Sequence, residues 1–222
     1  MGLAMPALPF DIVVFDLDGT LADTAPDLTA SLNHVLVQLD REALSAAAVR
    51  TMIGGGVRLL LQRGLEATGG ASELLLDRAY AQFMDHYRDH LCVGTRPYER
   101  ADETLAELRE AGAALALCTN KPEALAHQLA ERLGWRFDAT IGGDTLSVRK
   151  PDPAPLREAI ARAGGGKAVL VGDSITDADT AHAAGIPFVA VSFGYSDRPV
   201  EALGAAAVVD RFADLPYALA GL

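Results

Sequence analysis

Five short apolar runs, separated by stretches with helical periodicity, constrain the fold of this chain most strongly. The runs are 12–15, 115–118, 168–171, 188–191 and 207–209. Short continuous apolar segments predict strands that are buried on both faces, which is typical of a parallel sheet. Helical patterns occupy the intervening stretches 101–111, 122–133, 153–163 and 177–184. Strands that alternate with helices predict an α/β core, a doubly wound, Rossmann-like parallel sheet with helices on both faces.

The segment from about Pro26 to Leu91 interrupts this alternation, because it contains helical patterns and no convincing strand. Apolar residues recur in it at intervals of three and four, for example at Leu76, Tyr80 and Phe83. We therefore predict an inserted, all-helical cap domain. The predicted boundaries give residues 1–22 and 93–222 to the α/β core and residues 23–92 to the cap.

Two aspartates follow the first predicted strand, in the sequence Asp-Leu-Asp-Gly-Thr at 16–20. Residues i and i+2 of an extended segment point to the same side, so the two carboxylates converge. Two unit charges about 4 Å apart repel by about 4 kcal/mol at an effective dielectric constant of 20. A cation or a bound proton is therefore expected, which suits Asp16 as a nucleophile and Asp18 as a general acid/base. A turn capped by aspartate and threonine is the alternative.

Three further polar segments are expected at the carboxyl edge of the sheet, where open α/β folds bind ligands. Thr119 and Asn120 precede a predicted helix, and a helix start suits an anion such as phosphate. Lys150 lies in a proline-stiffened turn and suits charge that develops on a phosphoryl group. Asp173 and Asp177 offer the oxygen ligands that Mg²⁺ takes. Taken singly, each segment has an ordinary alternative as a helix cap or a surface residue.

The four segments together, in this order, resemble the four sequence motifs of the haloacid dehalogenase-like superfamily. The resemblance covers essentially the whole chain, and the helical insertion resembles the mobile cap of that superfamily's first type. The residues that match the motifs are Asp16 with Asp18, Thr119, Lys150, and Asp173 with Asp177.

The resemblance implies a catalytic role for four of these residues. Asp16 would attack phosphorus to form an aspartyl-phosphate, and Asp18 would protonate the leaving alkoxide and then activate water. Thr119 and Lys150 would hold the phosphoryl oxygens. The aspartate at position 18 points to phosphate esters, because relatives that cleave carbon–halogen or carbon–phosphorus bonds lack a carboxylate there.

The resemblance also implies Mg²⁺ as the cofactor. Its expected ligands are the side chains of Asp16 and Asp173 and the backbone carbonyl of Asp18, with Asp177 supporting Lys150 or the metal's waters. The four carboxylates, one Mg²⁺ and Lys150 leave one negative charge, which a proton on Asp18 would neutralise. We therefore expect phosphate to bind poorly when the metal is absent.

Longer stretches are similar to phosphoglycolate phosphatases, a group within that superfamily. These stretches are 15–21, 23–27, 118–122, 142–144, 149–151, 155–156, 183–185 and 193–195. The similarity implies a small anionic phosphate ester as substrate, with 2-phosphoglycolate as the first candidate. The alternatives are a broader sugar-phosphate or nucleotide phosphatase and a phosphosugar mutase of the same superfamily. One departure lies at 98–101, where a Pro-Gly turn is expected at a hinge.

The glycine-rich segment 53–58 is the candidate for substrate recognition by the cap. Gly55 lies in a loop that can approach a small ligand closely. Arg58 could pair in a bidentate way with the carboxylate of 2-phosphoglycolate. A solvated arginine on a cap helix is the alternative for Arg58. Gly55 and Arg58 join Thr119, Asn120 and Lys150 as predicted substrate-binding residues.

Composition restricts the partners and the compartment. The chain has 30 Asp and Glu against 19 Lys and Arg, a net charge of −11, which disfavours nucleic acid and anionic membranes. No apolar run approaches the roughly 18 residues of a membrane-spanning helix. Cys92 and Cys118 are too few for a disulfide framework, so a reducing cytoplasm is expected. Both a monomer and a homodimer remain open.

Overall fold

Eight strands are present in the computed structural model, which describes residues 7–196 and 198–222. Residues 1–6 of the predicted core, and Asp197, lie outside the described residues. Six strands form one parallel sheet in the order β5-β4-β1-β6-β7-β8, and β2 pairs with β3 in an antiparallel ribbon. The strands are β1 (Ile12–Phe15), β2 (Ala22–Asp23), β3 (Arg96–Pro97), β4 (Ala114–Cys118), β5 (Ala139–Ile141), β6 (Ala168–Gly172), β7 (Phe188–Val191) and β8 (Ala207–Val209).

The helices form two groups that differ in what they pack against. Five belong to the core: α5 (Ala101–Glu110), α6 (Glu123–Arg132), α7 (Ala154–Arg162), α8 (Ile175–Ala184) and α9 (Leu215–Ala220). Two short 3₁₀ helices lie at Val200–Leu203 and Phe212–Asp214. The cap consists of α1 (Ala25–Gln38), α2 (Ala46–Arg50), α3 (Val57–Ala67) and α4 (Glu73–Asp89).

Both faces of the parallel sheet are buried, and alternate residues of each strand point to opposite faces. Val13 and Phe15 of β1 belong to the apolar cluster that includes residues of α5, α6 and α9. Ile12 and Val14 belong to a second cluster, which includes residues of α7 and α8. This double burial is the reason that β1 is apolar at every position, and it confirms the predicted doubly wound α/β core.

The structure adds short strands and moves one helix start. The five predicted strands are confirmed, but β5 and the β2–β3 ribbon were not predicted. A threonine at the centre of β5 interrupts its apolar run, and β2 and β3 have only two residues each. The helix predicted from Asp177 begins at Ile175 instead. It starts earlier because Ser174 is the N-cap and Asp177 occupies the third helical position of a capping box.

The apolar interior of the inserted cap is continuous with one face of the sheet, and the cap is tied to the core where the chain leaves and returns. Leu32, Leu61 and Phe83 are fully buried among helices α1, α3 and α4. Asp27, in the first turn of α1, accepts hydrogen bonds from the backbone amides of residues 93–95 at 3.1, 2.6 and 2.9 Å. It also accepts one from the Thr95 hydroxyl at 2.6 Å. The exit and return of the chain are therefore fixed side by side.

The helices in the described part of the chain include none that is both long enough and apolar enough to cross a membrane.

Candidate active site

Three adjacent central strands deliver the candidate site to one edge of the sheet. Asp16 follows β1, Thr119 follows β4, and Asp173 follows β6. The register pairs Phe15 with Leu117 on one side and with Val171 on the other, so the three strand ends are nearly level. Because all three strands are parallel, their carboxyl ends meet, as the sequence predicted for these segments.

Asp16 is a buried carboxylate next to an ammonium group. Its side chain is 8% exposed, and its Oδ1 lies 3.0 Å from the Nζ of Lys150. Burial raises the pKa of Asp16 to about 6, Lys150 opposes this rise, and the carboxylates of Asp177 and Asp18 add to it. Asp16 therefore keeps its proton up to about pH 6, and above that pH a bound cation would stabilise the buried anion.

Asp16, Asp173 and Asp177 form a cluster of buried carboxylates. One oxygen of each lies within 4.8 Å of one oxygen of the others. Asp173 accepts hydrogen bonds from the Thr20 hydroxyl at 2.9 Å and from the Tyr195 amide at 2.6 Å. Burial, and next the charges of Asp177 and Asp16, raise the pKa of Asp173. An all-oxygen cluster of this kind is the donor set that Mg²⁺ takes in proteins.

Lys150 contacts two members of the carboxylate cluster, Asp16 and Asp177. Its Nζ donates to Asp177 at 2.6 Å and lies 3.0 Å from Asp16, and its side chain is 1% exposed. Burial alone would lower the pKa of Lys150, but the charges of Asp16 and Asp177 outweigh it and raise that pKa. The capping-box contacts of Asp177 with the amide and hydroxyl of Ser174, at 3.1 and 2.6 Å, hold its other oxygen.

Gly19 allows the chain to turn closely against Asp173. Its φ is +87°, a conformation that side chains with a Cβ rarely adopt. A Cβ at this position would lie 2.5 Å from Oδ2 of Asp173 and 2.7 Å from the ring of Tyr195. The turn that carries Asp18 therefore depends on glycine at position 19.

Lys121 is a buried residue of the site to which the sequence analysis gave no role. Its Nζ contacts Oδ1 and Oδ2 of Asp18 at 2.9 and 3.2 Å and donates to the hydroxyl of Tyr87 at 2.7 Å. In the sequence, the one indication that Lys121 belongs to the site is that it directly follows Thr119 and Asn120.

Lys121 also corrects the predicted charge of the site. The sequence analysis balanced the four aspartates against one Mg²⁺ and Lys150, which left one negative charge. With a second buried ammonium group, the described side chains carry two excess negative charges when all four aspartates are ionised, and one divalent cation balances these.

A cavity lies in front of Asp16 between the core and the cap. The core side is polar, and the cap side is mostly apolar. The core supplies Asp16, Asp18, Thr119, Asn120 and Lys121, and the cap supplies Leu28, Ile53, Gly54, Gly56, Val57 and Leu60. A cavity with one polar side and one apolar side suits a small, charged molecule, because the polar side can bind its charge while the apolar side excludes most water.

Asn120 joins the core loops to the cap. Its amide nitrogen donates to the backbone carbonyls of Lys150 at 3.1 Å and Gly54 at 3.2 Å. Thr119 is buried beside it, and its hydroxyl accepts a hydrogen bond from the amide of Lys121 at 3.3 Å. The structure thus brings Thr119, Asn120 and Lys150 together with Asp16 and Asp18.

The structure does not bring Arg58 or Gly55 to this cavity. The guanidinium of Arg58 donates to Glu73 at 2.6 Å and to Asp77 at 2.7 Å, on the exposed side of α3 and α4. The guanidinium that was expected to bind the substrate carboxylate is therefore paired with two carboxylates of α4. Gly55 and Arg58 instead line a neighbouring groove between cap and core, whose core side is formed by Arg149, Lys150, Pro151 and Thr176.

A second contact between cap and core reaches the carboxylate cluster. Arg50, the last residue of α2, forms an ion pair with Asp23. Asp23 accepts a hydrogen bond from the hydroxyl of Tyr195 at 2.6 Å, and that hydroxyl accepts one from the amide of Ala25 at 2.9 Å. Because the amide of Tyr195 also donates to Asp173, Tyr195 contacts both Asp23, where the chain enters the cap, and the carboxylate cluster.

This site and fold have counterparts among known proteins. A family model described as haloacid dehalogenase-like hydrolase matches residues 13–191. The phosphoglycolate phosphatase of Mesorhizobium japonicum is 47% identical over 214 residues, 94% of either chain. That of Rhodospirillum rubrum is 44% identical and covers 91% of this chain and 88% of its own. The crystal structure of a predicted phosphoglycolate phosphatase from Haemophilus somnus matches with a TM-score of 0.87 and 32% identity, over 93% of this chain and 96% of that one.

Proposed function

The chain belongs to the haloacid dehalogenase-like hydrolases and is a phosphoric monoester hydrolase, and we propose that it converts 2-phosphoglycolate to glycolate and phosphate. The observation that carries the proposal is the pair Asp16 and Asp18, which line one cavity and each lie beside a buried ammonium group. Relatives with the corresponding name, 40–47% identical over most of the chain, support the choice of substrate.

In the first step we assign Asp16 as the nucleophile. Its carboxylate oxygen attacks phosphorus and forms an aspartyl-phosphate, while the bond from phosphorus to the glycolate oxygen breaks. Asp18 donates a proton to that oxygen, so that glycolate leaves as an alcohol. In the second step Asp18 takes a proton from water, which attacks phosphorus, releases phosphate and restores Asp16.

Three further residues support this chemistry. Lys150 places a positive charge 3.0 Å from the nucleophile, where charge accumulates on the phosphoryl oxygens. Thr119 supplies a hydroxyl at the cavity, and Asn120 holds the two loops that carry Lys150 and Gly54. These contacts keep the charged groups fixed, so little reorganisation is needed during the reaction.

The carboxylate cluster fits Mg²⁺ in charge and in donor type. We assign the side chains of Asp16 and Asp173, with the backbone carbonyl of Asp18, as its ligands, and Asp177 as support for Lys150 and for water ligands. When bound, Mg²⁺ would act as a Lewis acid toward a phosphoryl oxygen and neutralise the clustered carboxylates.

We assign substrate selection to the helical cap. We propose that residues 23–92 act as this cap and that residues 1–22 and 93–222 act as the catalytic core. Ile53, Val57 and Leu60 line the cap side of the cavity, so a compact substrate fits and bulk water is kept from the intermediate. Cys92 and Cys118 are free thiols, which supports a place of action in the reducing cytoplasm.

A panel of phosphate monoesters, assayed with Mg²⁺ and ranked by kcat/KM, tests the proposed substrate. We expect 2-phosphoglycolate to exceed sugar phosphates and nucleotides by at least about tenfold, since kcat/KM reports differential binding of the transition state. A sugar phosphate or nucleotide at the top of the ranking would contradict the assignment. Rearranged product without rapid phosphate release would instead identify a mutase.

The Asp16→Asn variant tests the nucleophile. The amide oxygen is a far poorer nucleophile, so we expect phosphate release to fall by about 10⁴-fold or more. Circular dichroism of the variant serves as the control for folding. Phosphate release that survives the substitution would remove Asp16 from its assigned role.

A further inference from the structure

The side chain of Lys121 is fully committed to contacts within the protein. An ammonium group has three N–H donors. Asp18 accepts through both carboxylate oxygens, at 2.9 and 3.2 Å, and the hydroxyl of Tyr87 accepts at 2.7 Å. The side chain is 1% exposed, so water cannot replace a lost partner without a change in packing. No donor of Lys121 is left over for a substrate in this arrangement.

The partners of Lys121 belong to different parts of the molecule. Asp18 lies in the core loop after β1, and Lys121 lies in the core loop after β4. Tyr87 lies in the last turn of α4, which is a cap helix. Tyr87 is fully buried, and its ring packs against that of Phe83 with 5.4 Å between centroids. The position of the Tyr87 hydroxyl is therefore set by the packing of the cap.

The Tyr87 hydroxyl acts here as a neutral acceptor. Burial is the main cause that raises the pKa of Tyr87 to about 12, so the group keeps its proton throughout the physiological range. Lys121 keeps its charge, because Asp18 and Tyr87 outweigh the effect of burial and raise its pKa. The contact is thus a charged ammonium group held between a carboxylate and a neutral hydroxyl.

We propose that Lys121 and Tyr87 are positioning residues for Asp18, and that Tyr87 makes the placement of this acid/base group depend on the cap. The inference rests on the proposed function, in which Asp18 transfers protons to and from the reacting oxygens. Lys150 serves the phosphoryl group, whereas Lys121 serves Asp18. A carboxylate held through both oxygens has one orientation toward the leaving group, and proton transfer requires that orientation.

The test uses the leaving group of the substrate. The glycolate oxygen of 2-phosphoglycolate needs a proton to leave, whereas the nitrophenolate of p-nitrophenyl phosphate leaves without one. For Tyr87→Phe, we expect kcat/KM to fall about tenfold with 2-phosphoglycolate and by less than about twofold with p-nitrophenyl phosphate, since positioned acid catalysis contributes about 10²–10⁴ in rate. For Lys121→Gln, we expect a larger fall in kcat/KM with 2-phosphoglycolate, again greater than the fall with p-nitrophenyl phosphate.

Tyr80→Phe is the matched control. Tyr80 lies two turns earlier on α4, is half-buried, and its hydroxyl has no hydrogen bond to the described residues. It removes the same atom from the same helix, so we expect unchanged kcat/KM with both substrates. Thermal unfolding of Tyr87→Phe measures any loss of folded protein. The two substrates give a second check, because a folding defect lowers both rates equally, whereas a loss of positioning lowers only the rate with 2-phosphoglycolate.

A double substitution identifies the group through which Tyr87 acts. In an Asp18→Asn background, Tyr87→Phe should cause no further loss with 2-phosphoglycolate, because the positioned carboxylate is already absent. Equal losses with both substrates, an additive loss in the double variant, or an effect confined to KM would each overturn the inference. Failure of the proposed function would look different, since wild-type protein would then not hydrolyse 2-phosphoglycolate.

Discussion

At the residue scale, two buried lysines in loops of the core have separate tasks. Lys150 contacts Asp16 and Asp177, and Lys121 contacts Asp18. Each of these ammonium groups is almost completely buried, so each depends on its carboxylates for charge compensation. Removing a carboxylate partner therefore affects the fold as well as the chemistry, and substitutions in this site need a stability control.

Arg58 lies away from the cavity in front of Asp16, so we predict that it does not bind substrate. We expect Arg58→Ala to leave KM for 2-phosphoglycolate and kcat within about twofold of wild type, because Arg58 points to Glu73 and Asp77 outside the cavity. The loss of these exposed ion pairs should change the free energy of unfolding little, because solvent screens them. Steady-state kinetics measure the first result, and a large rise in KM would restore Arg58 as a substrate ligand.

Gly19 and Gly112 offer a matched pair of substitutions. Both have positive φ, +87° and +91°, but a Cβ on Gly19 would collide with Asp173, whereas nothing lies within 4 Å of one on Gly112. We expect Gly19→Ala to lower kcat/KM by about 100-fold or more, because it displaces Asp173 of the carboxylate cluster by a fraction of an ångström or more.

Gly112→Ala should cost only about 1 kcal/mol of backbone strain and leave kinetics unchanged. The same phosphate-release assay and a urea titration of both variants measure these effects. Equal kinetics for the two variants would show that the turn at Gly19 tolerates a side chain.

At the element scale, the start of α5 carries the departure that the sequence showed at 98–101. Arg100 precedes this helix with φ of +68°, in the left-handed region that favours glycine. The Pro-Gly turn expected there would supply that conformation without steric cost. The local backbone is thus kept although the residue differs, and Arg100 pairs with Glu107 at 2.9 Å on the surface.

We expect Arg100→Gly to raise the unfolding free energy by about 0.5–1 kcal/mol, because relief of left-handed strain exceeds the small contribution of exposed ion pairs. Arg100→Ala is the control, since it loses the same ion pairs but keeps a Cβ, and it should be neutral or slightly destabilising. Urea unfolding measures both variants. A destabilised Arg100→Gly would mean that the ion pairs with Glu103 and Glu107 matter more than the strain.

At the scale of the whole molecule, part of the net charge of −11 is gathered in one buried site. In the metal-free protein, Asp16 has a pKa of about 6 when folded, against an ordinary value of 3.8. The folded state therefore binds this proton more tightly, and the contribution of Asp16 to stability falls as pH rises from about 3.8 to 6. Above that window, a cation can take the place of the proton.

We expect Mg²⁺ at about 100 times its Kd to raise Tm by roughly 5–10 °C at pH 7, since binding to the folded state alone contributes about 2.7 kcal/mol. At pH 5, the rise should be smaller, because protons compete for Asp16 and Asp173. Differential scanning calorimetry with and without Mg²⁺ measures it. Asp173→Asn should abolish the rise, and a Tm that does not respond to Mg²⁺ would remove the metal from the assignment.

The sequence by itself determined the strands of the core, the helical insertion and the segments that carry Asp16, Asp18, Thr119, Lys150 and Asp173. These features are local, since a strand buried on both faces must be apolar throughout and a polar segment after it must reach the sheet edge. The short strand β5 was missed because Thr140 interrupts its apolar run.

Only the tertiary structure decided which charges meet. Lys121 is 103 positions from Asp18 and 34 positions from Tyr87, so no local sequence pattern predicts these contacts. The same holds for Arg58, whose side chain reaches two carboxylates of a neighbouring helix. A buried ion pair forms where packing brings its groups together and removes water, and that is a property of the folded chain.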